Sequence, residues 1–350
     1  MARIWYSVCG EGRGHAIRSE AVIRHLLKKH EVLITSYGNA KDVLSSHFGD
    51  RVHPIEGPSW IHGQGKIFLV QSGLVYLFNI PRLLRRVKEQ LLPTIRLFGP
   101  DLLISDFEST AEHLANHLGL PTIAIDNIQA MDKCRLPGQV PPPWFHNLAL
   151  RLLHPKADHY FILDYAGAEP KEPGITTMIP PILREDIVSM KGKTRNRGFV
   201  LVYQTAFTDD TLFPVLNQID RQFHIHGTAK KGREGNLLFR GFDEQAFFED
   251  LKDCEYIITN GGFGLLSEAI FLKKPVFSML IHEYYEQEYN AAAMKKKGYG
   301  NYTRRLTQED LLNFEQNLEK YRKNLKKAGF WNQETFYNDL DRKIDELIKG

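Results

Sequence analysis

The sequence predicts an α/β protein built from two doubly wound domains in tandem, and three observations carry that reading. Short apolar runs recur along the chain, each followed by a turn and a stretch of helical spacing. At 350 residues the chain is long enough for two cores of ordinary size. The two series resemble each other in pattern but carry no repeat of solenoid period.

Residues 3–9 form the first strand-like run, Gly10-Glu11-Gly12-Arg13-Gly14-His15 makes a turn, 16–29 has helical spacing and 32–36 is again strand-like. A run at 102–105 ends at Asp106, a helical stretch at 109–118 closes on Gly119, and 121–125 is another strand. Repeated β-α-β units imply a parallel sheet, whose strands end on one common edge where ligands bind. Residues 74–98 read as a helical region interrupted by Pro81 and Pro93, and 134–145 as an irregular loop. The strand at 160–163 and the loop at 169–181 are expected to close the first domain, with Pro180-Pro181 stiffening a hinge.

A second series starts at 198–203 and continues with strands at 223–226, 236–239, 256–259 and 275–279. The expected domains are therefore 1–175 and 176–328, facing a cleft, with a charged helical tail at 329–350 that packs back on the first.

Composition narrows the function classes. The chain is 43% hydrophobic and 25% charged, as globular proteins are, which excludes disordered and fibrous classes. A net charge of +3 suits anionic small molecules or a membrane surface and is too small to argue for nucleic acid. Cys9, Cys134 and Cys254 make neither a CxxC pair nor an even set, so reduced thiols in a cytosolic enzyme are expected. The apolar start is too short and too early for a signal peptide, and no run of 18 apolar residues occurs. A cytoplasmic protein is the expectation.

Two stretches carry chemistry. In the first, Gly12 and Gly14 let backbone approach a ligand, and helix N-terminal amides favour negative charge. The spacing is G-x-G-x-G rather than G-x-G-x-x-G, and the second strand ends without an acid to hold a ribose, which argues against a dinucleotide. His15 at the helix start is a candidate general base, because an imidazole titrates near working pH and the helix N-terminus favours its neutral form. Simple packing or capping is the plainer alternative for this histidine. The second stretch runs from Thr259 and Asn260 through Gly261, Gly262, Phe263 and Gly264 to Glu268. A strand, a glycine turn and a helix start would cradle a diphosphate, and Glu268 inside the helix could accept both ribose hydroxyls. Glu286 and Gln287 follow a strand end and could hold sugar hydroxyls.

The run from Thr259 to Gly300 resembles the donor-binding segment of GT-B glycosyltransferases, in which T-H-G-G, E-A, G-x-P, D-Q, N-A and G-x-G follow one another. The UDP-glucuronosyltransferases, the macrolide-type transferases and the peptidoglycan N-acetylglucosaminyltransferase share this segment, and the last also has a glycine turn ending in histidine. GRGHA-x-R from Gly12 to Arg18, ISDFE ending at Glu108, IDN ending at Asn127, PPILR ending at Arg184 and ITNGGF ending at Phe263 are similar to a prokaryotic group of such proteins. The resemblance implies a GT-B fold of two Rossmann-like domains and an inverting transferase that needs no metal and no cofactor. It implies that Gly261 and Gly262 approach the diphosphate, Glu268 takes the ribose, Glu286-Gln287 touches the donor sugar and His15 is the catalytic base. Asn260 stands where histidine is frequent, and Glu286 where aspartate is.

Asp106 and Glu108 lie at the functional edge, where they could assist His15, bind acceptor hydroxyls or cap a helix. Gln204 and Thr205 after the first strand of domain two are expected near the donor phosphates, and Phe242 near the base. Asp339-Leu340-Asp341 spells D-x-D but reads as a solvated helix face. His224 and His226 read as alternating positions, with at most one facing the cleft.

A hexosyltransferase using a UDP-sugar is the leading expectation. A UDP-sugar epimerase of the same fold and a non-catalytic nucleotide-sugar-binding protein are the alternatives. The acceptor is unknown; a lipid-linked or glycan acceptor is considered because Arg82, Arg85, Arg86 and Lys88, with Leu83, Leu84, Trp144 and Phe145, could dock on the inner membrane face.

Overall fold

The computed structural model describes residues 1–57, 62–63, 66–67, 69–136, 144–204, 209–281 and 285–349. They fall into two units, Met1–Ile61 with Leu69–Ile182 and Asn332–Gly350, and His62–Phe68 with Leu183–Trp331.

In the first unit seven strands form one parallel sheet: β1 (Arg3–Val8), β2 (Glu31–Ser36), β3 (Val52–Pro54), β4 (Leu102–Asp106), β5 (Thr122–Asp126), β6 (His159–Leu163) and β7 (Thr176–Ile179). Strands β4, β5 and β6 are buried at every position, as a parallel sheet covered on both faces requires. The spatial order is β7-β6-β5-β4-β1-β2-β3. The chain leaves β1 toward β2 and leaves β4 the opposite way, so the order reverses between these two strands. A crevice opens at such a switch point, outside the carboxyl ends. Val8 and Asp106 are paired there.

Three expectations for this unit are corrected. Because β7 pairs with β6, the first unit runs to Ile182 rather than ending at 175, and its terminal segment begins at Asn332 rather than 329. Besides the helix α1 (Arg13–Leu26), this unit contains α2 (Leu69–Phe98), one continuous 30-residue helix that passes through Pro81 and Pro93. Leu83, Val87, Leu91 and Ile95, spaced by four, are buried against the core and hold α2 across the bonds its prolines cannot make. The D-x-D segment lies on α7 (Gln333–Lys349), but it is not simply solvated. Leu340 is buried with Phe336 and Ile344, each such side chain contributing about 2 kcal/mol, and Asp341 meets His25 Nε2 at 2.8 Å and Lys29 on α1.

The second unit repeats the plan with β8 (Phe199–Tyr203), β9 (Gln222–His226), β10 (Lys231–Glu234), β11 (Leu237–Gly241), β12 (Ile257–Thr259), β13 (Val276–Met279) and β14 (Gly300–Thr303). Their order is β10-β11-β9-β8-β12-β13-β14, parallel except for the edge strand β10. The reversal falls between β8 and β12. The helices that matter here are α4 (Glu244–Asp253), α5 (Phe263–Phe271) and α6 (Tyr285–Lys296); α3 (Ser109–Leu118) belongs to the first unit.

Among the described residues, no helix is long and apolar enough to cross a membrane. The three cysteines are buried and unpaired, and burial pushes each thiol up to about 12.

Candidate active site

The turn after β1 enters α1 through Gly12, whose φ of 80° suits glycine. Gly10 is needed for a different reason, since an added Cβ would strike Tyr37. Open space surrounds the positions a Cβ would take on Gly12 and Gly14. His15 stands in the first turn of α1, which has no side-chain cap and no acidic residue.

His15 Nδ1 lies 2.7 Å from Asp106 Oδ1 at the end of β4. The Asp106 carboxylate also accepts from Arg18 Nε at 2.7 Å, from Arg18 Nη2 and from Ser19 Oγ at 2.8 Å. Arg18 Nη1 continues to Asn127 Oδ1 after β5. Burial opposes charge on Asp106, but Arg18 and then His15 outweigh it and hold the carboxyl at about 2. Arg18 Nη2 is also 2.8 Å from His15 Nδ1. One ring nitrogen cannot donate to Asp106 and accept from Arg18 at once. Ionised Asp106 is acceptor-only, so Nδ1 carries the hydrogen and Arg18 Nη2 donates to the carboxylate instead. The proton-accepting nitrogen is then Nε2, on a side chain 14% exposed.

The neighbouring residues are structural. Phe107 takes a φ of 53°, a strained conformation for a bulky residue, and its ring stacks on His154 at 4.2 Å and lies 6.2 Å from that of His15. Burial alone would lower the pKa of His154; Glu112, 2.8 Å away, outweighs it and raises it. Of the three roles open to Glu108 (assisting His15, binding the acceptor or capping a helix), the structure shows the cap. Glu108 is buried, and its carboxylate accepts from Thr110 N, Thr110 Oγ1, Ala111 N and Ser7 Oγ, fixing the start of α3.

In the second unit α5 begins at Gly262, again without a side-chain cap or an acidic first turn. Gly261 has a φ of 91°, and a Cβ there would sit 3.1 Å from the Gln287 carbonyl oxygen. Gly262 and Gly264 face open space. Asn290 Nδ2 donates to Gly261 O at 3.3 Å and reaches Glu286 Oε1 at 3.4 Å, so the structure brings Gly261, Glu286, Gln287 and Asn290 together. Glu268 is buried on α5, with Phe263 in the first turn of the same helix. Both its oxygens accept from Arg184, Nε to Oε1 and Nη2 to Oε2, each at 2.8 Å.

Asn260 and Gln204, both expected at the donor, are buried, and Asn260 donates to Gln204 Oε1 and to Met279 O, joining the ends of β8, β12 and β13. The Gln287 side-chain oxygen turns toward Ile281 N at 3.5 Å. Thr205 lies outside the described residues. Phe242 is 67% exposed after β11. His224 and His226, two apart on β9, share a face and both reach Asp250, His226 Nε2 at 2.9 Å and His224 Nδ1 at 2.9 Å but poorly directed for a hydrogen bond. Arg240 completes this internal network, at 3.1 Å from the same carboxylate. On α2, Leu83 is buried, Arg85 pairs with Glu89 at 2.9 Å and Arg86 with Glu56 at 3.3 Å. The side chains of Trp144 and Phe145 lie outside the described residues.

Arg18, Asn127, Arg184 and Asn290 were not singled out for a role by sequence. Arg18 had a usable signal, since residues three apart on a helix share a face, which sets it beside His15. Arg184 had none, because nothing local places it beside a residue far along the chain.

Two doubly wound units, each with an uncapped glycine-bounded helix start at its switch point, define the GT-B class of glycosyltransferase. The chain belongs to glycosyl transferase family 1, whose model matches residues 2–319. An uncharacterized glycosyltransferase of Methanosarcina mazei is 25% identical over 331 residues, covering 85% of this chain and 84% of its own. Among solved structures, Phytolacca americana UGT2 complexed with UDP-2-fluoro-glucose and pterostilbene superposes with a TM-score of 0.65 at 12% identity, covering 94% of each chain. The Streptomyces sp. SF2575 glycosyltransferase SsfS6 complexed with thymidine diphosphate does so with a TM-score of 0.61 at 16% identity, again covering 94% of each.

Proposed function

We propose that this glycosyltransferase moves a hexose from a UDP-linked donor to an acceptor hydroxyl, with inversion and without a metal, and that His15 is the general base. The observation that carries the proposal is the contact of His15 Nδ1 with Asp106, which directs the basic Nε2 away from that carboxylate. In the step itself, Nε2 takes the hydroxyl proton while the acceptor oxygen forms its bond to the anomeric carbon. The bond from that carbon to the diphosphate oxygen breaks, and UDP leaves with the electron pair. Asp106 then stabilises the imidazolium, as a buried carboxylate does for a histidine base.

The α5 start supports the donor half. Its helix dipole and the open faces of Gly262 and Gly264 suit a diphosphate and its developing charge. Glu268 suits the ribose, Glu286 the sugar, and the exposed ring of Phe242 suits a base. The UDP-sugar in one of the solved structures and the thymidine diphosphate in the other support a nucleoside-diphosphate leaving group.

Incubating the purified chain with α-linked UDP-hexoses and a panel of hydroxyl acceptors tests it. Release of UDP with a β-configured product, read by the anomeric NMR coupling, is the expected result. An interconverted sugar nucleotide would mean epimerase chemistry, and binding without turnover would mean a non-catalytic role.

A further inference from the structure

A fold that accepts both UDP and thymidine diphosphate does not by itself choose between ribose and deoxyribose. The choice has to come from side chains at the sugar of the nucleotide, and the Glu268 carboxylate is the group to weigh. It does not stand alone. Arg184 approaches it with two parallel N–H bonds of 2.8 Å, the fork geometry that fixes a carboxylate plane.

Arg184 is itself held from three sides. Its Nη1 donates to Glu244 Oε1 at 3.1 Å, and its guanidinium lies 4.5 Å from the centre of the Phe248 ring and 5.9 Å from that of Phe247. Its side chain is 12% exposed and that of Glu268 7%. Burial alone would lower the pKa of Arg184, but Glu268 and Glu244 outweigh it and raise it. Arg184 therefore stays charged, and it cannot rotate without breaking several contacts. A carboxylate has about four lone-pair positions, and the fork uses two. One acceptor position remains on each oxygen, a matched pair for the two adjacent hydroxyls of a ribose.

We propose that Arg184 is the positioning residue that sets the donor's nucleotide class: by clamping Glu268 it makes the site one for ribonucleoside diphosphates and against their 2′-deoxy counterparts. The proposal rests on the reading of Glu268 as the ribose acceptor. A loose carboxylate would turn to serve the single remaining hydroxyl of a deoxyribose. A clamped one leaves an acceptor buried and unmatched beneath the missing hydroxyl.

The test is titration calorimetry of UDP and 2′-deoxy-UDP on the full chain, for the unaltered protein, Arg184→Lys and Glu244→Gln, with melting curves first. Lysine keeps the charge beside Glu268 and loses the planar fork. The unaltered protein is expected to prefer UDP by tenfold or more, on the order of a hydrogen bond to a charged group. Arg184→Lys is expected to bring that ratio to within about twofold while UDP binding persists. Glu244 is exposed, so Glu244→Gln leaves the fold in place should Arg184→Lys not fold, and it is expected to lower the ratio two- to threefold. An unchanged ratio in both variants overturns the proposal, as does no preference in the unaltered protein. An equal loss for both nucleotides in Arg184→Lys also overturns it, because the guanidinium would then serve the phosphates. Absence of any nucleotide binding in the unaltered protein instead removes the donor reading on which the proposal stands.

Discussion

Asp106 Oδ1 sits 2.7 Å from His15 Nδ1 while the same carboxylate receives the guanidinium of Arg18, so one buried anion orients the base and neutralises the cation beside it. His15 starts the helix that follows β1 and Asp106 ends β4, and these two strands adjoin at the point where the strand order reverses.

Asp106→Asn separates these two duties from mere packing. An amide is nearly the same size but cannot stabilise an imidazolium, and it matches Arg18 with one oxygen instead of two. Turnover is expected to fall by about 10²–10⁴. Leaving a buried charge short of its partner costs up to about 3–5 kcal/mol, so the melting temperature is expected to drop as well. Steady-state kinetics beside a melting curve check both; turnover within threefold of the parent would remove Asp106 from the mechanism.

The pH dependence of stability is expected to have two opposing components. Asp106 is held at about 2, so its charge stabilises the fold above the ordinary carboxylate range, and that stability is lost as pH falls from about 4 to 2. Asp126 behaves in the opposite sense. Burial, only partly offset by the Gln129 amide and Arg18, pushes it up to about 6. The folded state resists its ionisation, so stability is lost as pH rises from about 4 through 6, by about 3 kcal/mol. Asp126→Asn is expected to flatten that interval in urea unfolding at several pH values; an unchanged slope would mean that another group titrates there.

The glycines of the α5 turn separate stability from binding. Gly261 has a positive φ and a tight approach to Gln287 O, so Gly261→Ala is expected to cost about 1–3 kcal/mol in stability. Gly262 has room for a methyl group and an ordinary φ of −63°, so Gly262→Ala is expected to melt like the parent. Its methyl group would stand where a phosphate approaches, weakening UDP binding about tenfold or more. Melting curves and calorimetry on the two variants check the pair, and equal UDP affinity in Gly262→Ala and parent would move the diphosphate elsewhere.

Much of this was legible in the residue order. Apolar runs followed by turns marked most of the strands of both sheets, because a strand buried on both faces has to be apolar along its length. Charged Lys231 to Glu234 hid an edge strand, since an edge tolerates polar residues, and Gly300 to Thr303 is too short and polar to signal β14. His15 was visible at a helix start and Asp106 at a strand end. What linear reading could not reach were contacts that only the finished fold makes. Glu108 was open to three roles and is a helix cap; Gln204 was expected near the donor phosphates and accepts from Asn260; Glu268 was expected at the ribose, and nothing local set Arg184 beside it. Each is a question of which way a side chain turns, and periodicity does not answer that for residues in turns.

The most direct test of His15 as base is turnover of a UDP-hexose by His15→Ala, set beside the UDP dissociation constant of the same variant. The expected result is a turnover lower by about 10²–10⁴ with UDP affinity within twofold of the parent, since the imidazole acts on the acceptor proton and not on the nucleotide. Turnover within a few-fold of the parent would contradict it and require another base.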